Sequence, residues 1–198
     1  MTSPRGGSQA TFEIRPMVER DYPQVAEILQ HGLDSGLATY EVEAPQWEDF
    51  TRHRIMDLAF VAECSESGAI LGWITATPVS HRGVFDGVVE DSVYVSPEAA
   101  GRGVAGALLD KLLESAADQG YWKLHSSIFP ENKGSIKLHE SRGFVHVGTF
   151  RAMAKMPHGP YEGQWRDAYT MEKIVEKGPA WSEVDSPHVA AHELPTQE

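Results

Sequence analysis

The chain has 198 residues, 41% of them hydrophobic, which suits one domain with its own core plus tails. With 17 basic and 29 acidic residues the net charge is −12, which argues against a nucleic-acid footprint but not against an anionic ligand held by backbone amides. Cys64 is the lone cysteine, so neither an internal disulfide nor a cysteine metal site is available, and no apolar run approaches the roughly 18 residues of a membrane span.

Residues 1–10 are rich in Gly, Ser and Pro, lack an apolar signal core and read as a flexible N-terminus. Residues 11–15 alternate, with Phe12 and Ile14 on one face of a short strand that Pro16 closes. A helix is predicted over 21–33, with Asp21 as N-cap, Pro23 in the first turn and Tyr22, Val25, Ile28, Leu29 and Leu33 at helical spacing. After a turn-rich segment, Pro45 opens a second predicted helix carrying Trp47, Phe50, Ile55 and Leu58 inward. Strands are predicted at 60–64 and 70–77, joined by the Ser-Glu-Ser-Gly turn, and again at 88–95. Residues 104–119 form an amphipathic helix through Leu108, Leu109, Leu112, Leu113 and Ala116. A strand at 123–129, a short helix at 133–142 and strands at 145–155 and 165–175 complete the domain, which spans residues 11–177. Residues 178–198 turn polar and Pro-rich and are expected to be a disordered tail. The order β-α-α-β-β-β-α-β-α-β-β implies a mixed sheet, α+β or α/β in class.

The stretch that carries chemistry runs from Glu90 to Leu109. An apolar strand ends at Ser96-Pro97, and then Gly101, Gly103 and Gly106, with the small residues Ala105 and Ala107, open a long helix. Glycine lets backbone N–H groups approach a ligand, and a helix start offers unpaired N–H groups with partial positive charge. Together these make a pyrophosphate site, with Arg102 within reach of a phosphate or pointing into water. The alternative is an ordinary helix start after a flexible loop. There is no Gly-Lys-Ser/Thr and no G-x-G-x-x-G, so neither a P-loop nor a dinucleotide fingerprint is present.

Strand, glycine loop and helix in this order resemble the acetyl-CoA motif of the GNAT superfamily, matching from Gly103 through Val104 and Ala105 but with Ala100 where that family usually carries Gln or Arg. A second block, from Asn132 through Ser135 and His139 to Gly143-Phe144, resembles the family's Asn…Gly-Phe spacing. Within the superfamily, residues 77–90, Leu138-His139-Glu140, Gly148-Thr149-Phe150-Arg151 and Gly163-Gln164-Trp165-Arg166-Asp167 look like the phosphinothricin / methionine sulfoximine acetyltransferases, as does the segment 34–47. Gly87 stands where that family often has an aromatic residue, and the segment 155–165 is a few residues longer than usual.

The resemblance implies a GNAT fold, with a mixed sheet splayed between the strands at 88–95 and 123–129, helices on both faces and acetyl-CoA in the gap. It implies acetyl transfer to the primary amine of a small amino-acid-like substrate. It gives Glu90 the role of base, directly or through water, and an extended strand puts residues 90, 92 and 94 on one face, in the cleft. The backbone of Val93, Tyr94 and Val95 is the expected edge for the pantetheine arm, and residues 101–106 the expected pyrophosphate cradle. Asn132 resembles a residue that bonds the coenzyme arm; it also reads as a helix N-cap, and both roles can hold together. His139, where related enzymes carry Tyr, is a candidate acid or relay beside the leaving thiolate, against plain packing. Arg82 is a candidate for the substrate's carboxylate or phosphinate, against a solvated turn arginine. Tyr40 and Phe85 are candidates for the amine pocket, against core packing. No metal is expected: none of the nine histidines forms H-E-x-x-H, and His188 and His192 fall in the tail. A homodimer is implied by resemblance alone, and the expected location is cytoplasmic, with no nucleic-acid or membrane partner. Two other readings stay open: a GNAT acting on a polyamine, an aminoglycoside or a protein N-terminus, which the acidic net charge suits, and a non-catalytic acyl-CoA-binding module.

Overall fold

The structure, a computed structural model, describes residues 11–175. The expected N-terminal segment, the tail and its two histidines therefore lie outside the described residues. The elements in chain order are β1 (Phe12–Pro16), α1 (Tyr22–Asp34), α2 (Trp47–Arg52), β2 (Phe60–Cys64), β3 (Ile70–Pro78), β4 (Val88–Val95), α3 (Val104–Asp118), β5 (Lys123–Ile128), α4 (Lys133–Glu140), β6 (Val145–Lys155) and β7 (Trp165–Ile174). They build one seven-stranded sheet of order β1-β2-β3-β4-β5-β7-β6, antiparallel except where β4 meets β5. No helix among the described residues is long and apolar enough to cross a membrane.

Helices cover both faces because the strands alternate what they present. On one face α3 buries Val104, Leu108, Leu109, Leu112 and Ala116 against Phe60, Ala62, Ile74, Val89 and Leu124. On the other, α1 buries Val25, Ile28, Leu29 and Leu33, and α2 buries Phe50, against Val61, Ile70 and Trp73. Each such side chain contributes about 1.5–3 kcal/mol when fully withdrawn from water.

Two local expectations change. Asp21 occupies the N-cap position of α1 but its side chain makes no capping bond to that helix. Its carboxylate is taken by the Arg15 guanidinium, at 2.7 Å to both nitrogens, and by the Val18 amide at 2.9 Å. The helix expected from Pro45 through Leu58 is broken. α2 ends at Arg52, and a separate 3-10 turn holds Met56–Leu58. The break follows from a competing bond: the Ile55 amide donates to the Ala76 carbonyl at 2.9 Å, which draws the chain onto the end of β3 that β2 leaves unpaired.

β6 is an edge strand, and nearly every residue along it is exposed. Val145, Val147, Phe150 and Met153 place large apolar groups in water there, as does Trp165 on β7.

Candidate active site

The site begins where two strands part. β4 and β5 pair in parallel over three rungs, Val88 with Lys123, Val89 with Leu124 and Glu90 with His125. Beyond Glu90, β4 runs on to Val95 with β3 as its strand partner, so its other backbone edge is open. A cavity of about 220 Å³ fills the resulting V. It is walled by residues 90–94 of β4, residues 126–129 of β5 and its end, Ala38–Tyr40 of the α1–α2 connection, and Asn132, Ser135 and His139 at α4.

Glu90 and Tyr94 face the α1 side of the sheet. Glu90 is not withdrawn from water as the cleft position suggested: its side chain is 37% exposed, and its Oε2 lies 3.6 Å from Nδ1 of His125, its partner in the last rung. Tyr94 is packed rather than free. Its ring stacks on Trp73 at 4.7 Å, and α1 makes room for it with Gly32, where a Cβ would come within 2.6 Å of the ring. Burial, with the nearby Glu41 charge, pushes the Tyr94 hydroxyl up to about 12, so it titrates far from neutrality. What Tyr94 offers at the open edge is its backbone.

Asp91 and His139 face the opposite side, toward α3 and α4. His139 is 1% exposed. Its Nδ1 lies 2.8 Å from the Ser135 carbonyl, and its Nε2 lies 3.0 Å from Asp91 Oδ2 and 3.2 Å from Ser126 Oγ. The Phe144 ring meets the imidazole edge-on at 4.9 Å. Burial lowers the imidazole's proton affinity, but the hydrogen bond and charge of Asp91, with help from the Ser135 carbonyl, outweigh it and leave the pKa raised. Asp91 Oδ1 is buried without a protein partner.

The loop between β4 and α3 has the conformation its glycines predict. Pro97–Ala99 make a 3-10 turn, and Gly101 and Gly103 then take φ of +76° and +81°, Gly103 serving as the left-handed N-cap of α3. A Cβ at either position would meet no atom within 4 Å, so glycine is needed for the backbone and the space above it is open to a ligand. Val104 is buried in the core, Arg102 and Ala105 are half-buried, and Gly106 is covered by the Arg142 guanidinium. The open β4 edge and this glycine-capped helix start fit the two ends of an acetyl-CoA arm, thioester and pyrophosphate.

Asn132 caps α4, its Oδ1 accepting from the Ser135 amide at 3.1 Å, while its Nδ2 donates to the Leu37 carbonyl at 3.4 Å. Tyr40 walls the cavity, edge-on to Phe129 at 4.8 Å, with its hydroxyl buried and without a protein partner. Arg82 and Phe85 are not brought to the cavity. Both are exposed on the β3–β4 connection, the guanidinium 5.6 Å from the Phe85 ring. Among the described residues, no Lys or Arg lines the cavity.

Several residues that shape the site were given no role in the sequence. Arg166 is 3% exposed beneath the cavity wall, where it donates to Glu131 Oε2 at 2.6 Å and to the Gly36 carbonyl at 3.4 Å. Its guanidinium lies against Phe129 at 4.4 Å and Tyr161 at 3.8 Å. The space an aromatic residue would take at Gly87 is filled by Trp122, just ahead of β5: a Cβ there would sit 1.8 Å from its ring. Asp91 did leave a signal, since it stands at an inward-facing position between Val89 and Val93, where the strand's alternation calls for an apolar residue.

A family model described as "Acetyltransferase (GNAT) family" matches residues 22–144. A phosphinothricin N-acetyltransferase of Streptomyces viridochromogenes is 31% identical over 167 residues, covering 83% of this chain and 88% of its own length. An L-methionine sulfoximine/L-methionine sulfone acetyltransferase of Salmonella typhimurium is 32% identical over 113 residues, 57% of this chain and 63% of its own. Among solved structures, a GNAT superfamily phosphinothricin acetyltransferase from Sinorhizobium meliloti in complex with AcCoA superposes with a TM-score of 0.75 at 30% identity, covering 86% of this chain and 91% of that one.

Proposed function

This chain belongs to the GNAT acetyltransferase family, and on that premise we propose that it moves acetyl from acetyl-CoA to the primary amine of a small amino-acid-like substrate of the phosphinothricin / methionine sulfoximine type. The observation that carries the reading is the cavity at the β4–β5 splay, which has a half-exposed carboxylate on one face and an imidazole on the other. Acetyl-CoA supplies an activated carbonyl and a thiolate leaving group. Glu90 takes the proton of the incoming amine, directly or through a water, which an alkylammonium must lose before it attacks. The backbone of Val93, Tyr94 and Val95 aligns the pantetheine arm along the open strand edge, and a Val95 N–H polarises the acyl oxygen. Residues 101–106 receive the pyrophosphate, and Asn132 reaches the arm with the donor capacity its amide retains. His139 supplies a proton to the departing sulfur. Tyr40 presents its unpartnered hydroxyl to the substrate.

Replacing Glu90 by Gln tests the base: kcat/KM falls by about 10²–10⁴ with acetyl-CoA affinity unchanged, and an unaltered rate at every pH removes Glu90 from the role. A second substrate reading, a cationic amine such as a polyamine, is favoured by one observation: among the described residues the cavity is lined by Glu90 and Asp91 and by no Lys or Arg. Release of CoA thiol against a panel of phosphinothricin, methionine sulfoximine, methionine sulfone, spermine and an aminoglycoside separates the two.

We also propose that the protein works as a cytoplasmic homodimer through β6, whose exposed Val145, Val147, Phe150 and Met153 form an apolar sheet edge. Light scattering after size exclusion reads the mass, and a monomer at assay concentration refutes this part.

A further inference from the structure

Asp91 and Ser126 line the cavity, play no part in the scheme above, and both contact His139. We infer that Asp91 is a positioning residue: its buried carboxylate holds the His139 imidazole in the doubly protonated form, with Ser126 as the relay that carries the Nε2 proton into the cavity. The inference rests on the proposed role of His139 and names the groups that make that role workable.

Hydrogen-bond accounting leads to this assignment. The Ser135 carbonyl can only accept, so Nδ1, 2.8 Å away, carries a hydrogen. A neutral imidazole would then set the lone pair of Nε2 against Asp91 Oδ2 at 3.0 Å, two acceptors face to face in a place closed to water. The contact is satisfied only when a proton lies between them. An ordinary imidazole holds a proton more tightly than an ordinary carboxylate does, so the proton belongs on the nitrogen. The groups packed around the ring agree: Asp91 from β4, the Ser126 hydroxyl from β5, Ser135 from α4 and the edge-on Phe144 ring after α4. The titratable pair Glu90 and His125 lies across the sheet on the other face.

The arrangement answers a conflict built into the reaction. Attack needs a neutral amine and therefore speeds up with pH, while the departing thiolate needs an acid that is still protonated at that same pH. A free histidine would already be neutral there. The Asp91 charge keeps His139 charged. In the step itself the C–N bond forms, the C–S bond breaks and its electron pair stays on sulfur. Sulfur takes the Ser126 hydroxyl proton as Oγ takes the proton of His139 Nε2. Asp91 stays a carboxylate throughout. The ammonium's first proton leaves to water by way of Glu90 before attack, Glu90 then takes the second N–H proton as the amide forms, and both histidine and glutamate re-equilibrate with water after product leaves.

The test has two readouts. In the unsubstituted protein labelled with ¹⁵N-histidine and free of acetyl-CoA, both ring nitrogens of His139 are expected to be protonated at about pH 7.5, above the ordinary histidine value. A neutral ring with bare Nε2 at that pH overturns the inference. In kinetics, Asp91→Asn keeps an acceptor oxygen for Nε2 but removes the charge. The alkaline limb of kcat is expected to move down by about one pH unit or more, while the KM for acetyl-CoA stays within about twofold. An unmoved limb in Asp91→Asn, alongside its loss in His139→Gln, overturns the role of Asp91 and leaves His139 as the acid. Unchanged kcat and pH profile in His139→Gln overturns the underlying reading of His139 itself.

Discussion

Arg166 offers the sharpest test of how the cavity is held open. Substituting Arg166→Met keeps most of the side chain's volume and removes its charge and fork. One charge-assisted hydrogen bond, to Glu131 at 2.6 Å, is lost, worth about 1.5–3 kcal/mol. The contact to the Gly36 carbonyl at 3.4 Å is long and adds little. The guanidinium also loses its place between the Phe129 and Tyr161 rings, worth up to about 2 kcal/mol for a desolvated cation. Against this, Glu131 is 42% exposed and recovers its hydration once freed. The net expectation is a loss of about 3 kcal/mol, a fall of about 1–2 M in the urea midpoint. The loss is also local: Gly36, Phe129, Glu131 and Tyr161 belong to three connections, and two of these, α1–α2 and β5–α4, wall the cavity. The KM for the amine should therefore rise more than the KM for acetyl-CoA. Urea denaturation followed by tryptophan fluorescence, with steady-state kinetics on both substrates, decides the matter. A cost below about 1 kcal/mol with both KM values unchanged refutes the account of Arg166 as the tie between these connections.

Three further outcomes follow from the geometry. Gly87→Ala drives a Cβ into the Trp122 ring and should destabilise strongly, whereas the same change in a Trp122→Ala background should cost little; additive costs in a double-mutant cycle by urea melts would refute the pairing. His139 is held above its ordinary 6.5, since burial lowers its pKa but Asp91 outweighs that. Its stabilisation is therefore full below about pH 6.5 and is lost as pH rises through the folded value, so urea midpoints should fall toward alkaline pH less in Asp91→Asn than in the unsubstituted protein. Gly103→Ala meets no atom but forces φ of +81° on a Cβ, a strain of about 1–2 kcal/mol; calorimetry should show weaker acetyl-CoA binding, and unchanged affinity would remove this helix start from the coenzyme site.

Periodicity carried far in this chain because most elements bury one clean face. The strand at Val88–Val95 falls where expected, Val145–Lys155 keeps its expected bounds although it buries no face, and α3 begins at Val104, right after the left-handed Gly103. The helix expected across 45–58 failed because a bond from Ile55 to the end of β3, invisible to helical spacing, outcompetes the helix. The site shows the same boundary. Glycines that need positive φ announce themselves locally, whereas the Glu90–His125 rung exists only once parallel register joins residues 35 positions apart. The contact of Asp91 with His139 likewise waits on α4 folding back across β5. Arg82 reads as a substrate anchor in sequence, and the fold leaves it on an exposed connection.

One consequence of the pleat of β4 remains. Glu90 and Asp91 are neighbours in the chain, yet successive residues of a strand point to opposite faces, so their side chains sit on two sides of one backbone. On the proposed roles, one side takes up a proton and the other gives one away, with the sheet as a partition between them. The two carboxylates then stay chemically independent at close range, one open to water and one sealed from it. A slip of one residue in β4 would turn Asp91 toward the open face and Glu90 toward the sealed one, taking each carboxylate away from its histidine. The register of β4 against β3, seven paired residues long, is thus what assigns the two jobs.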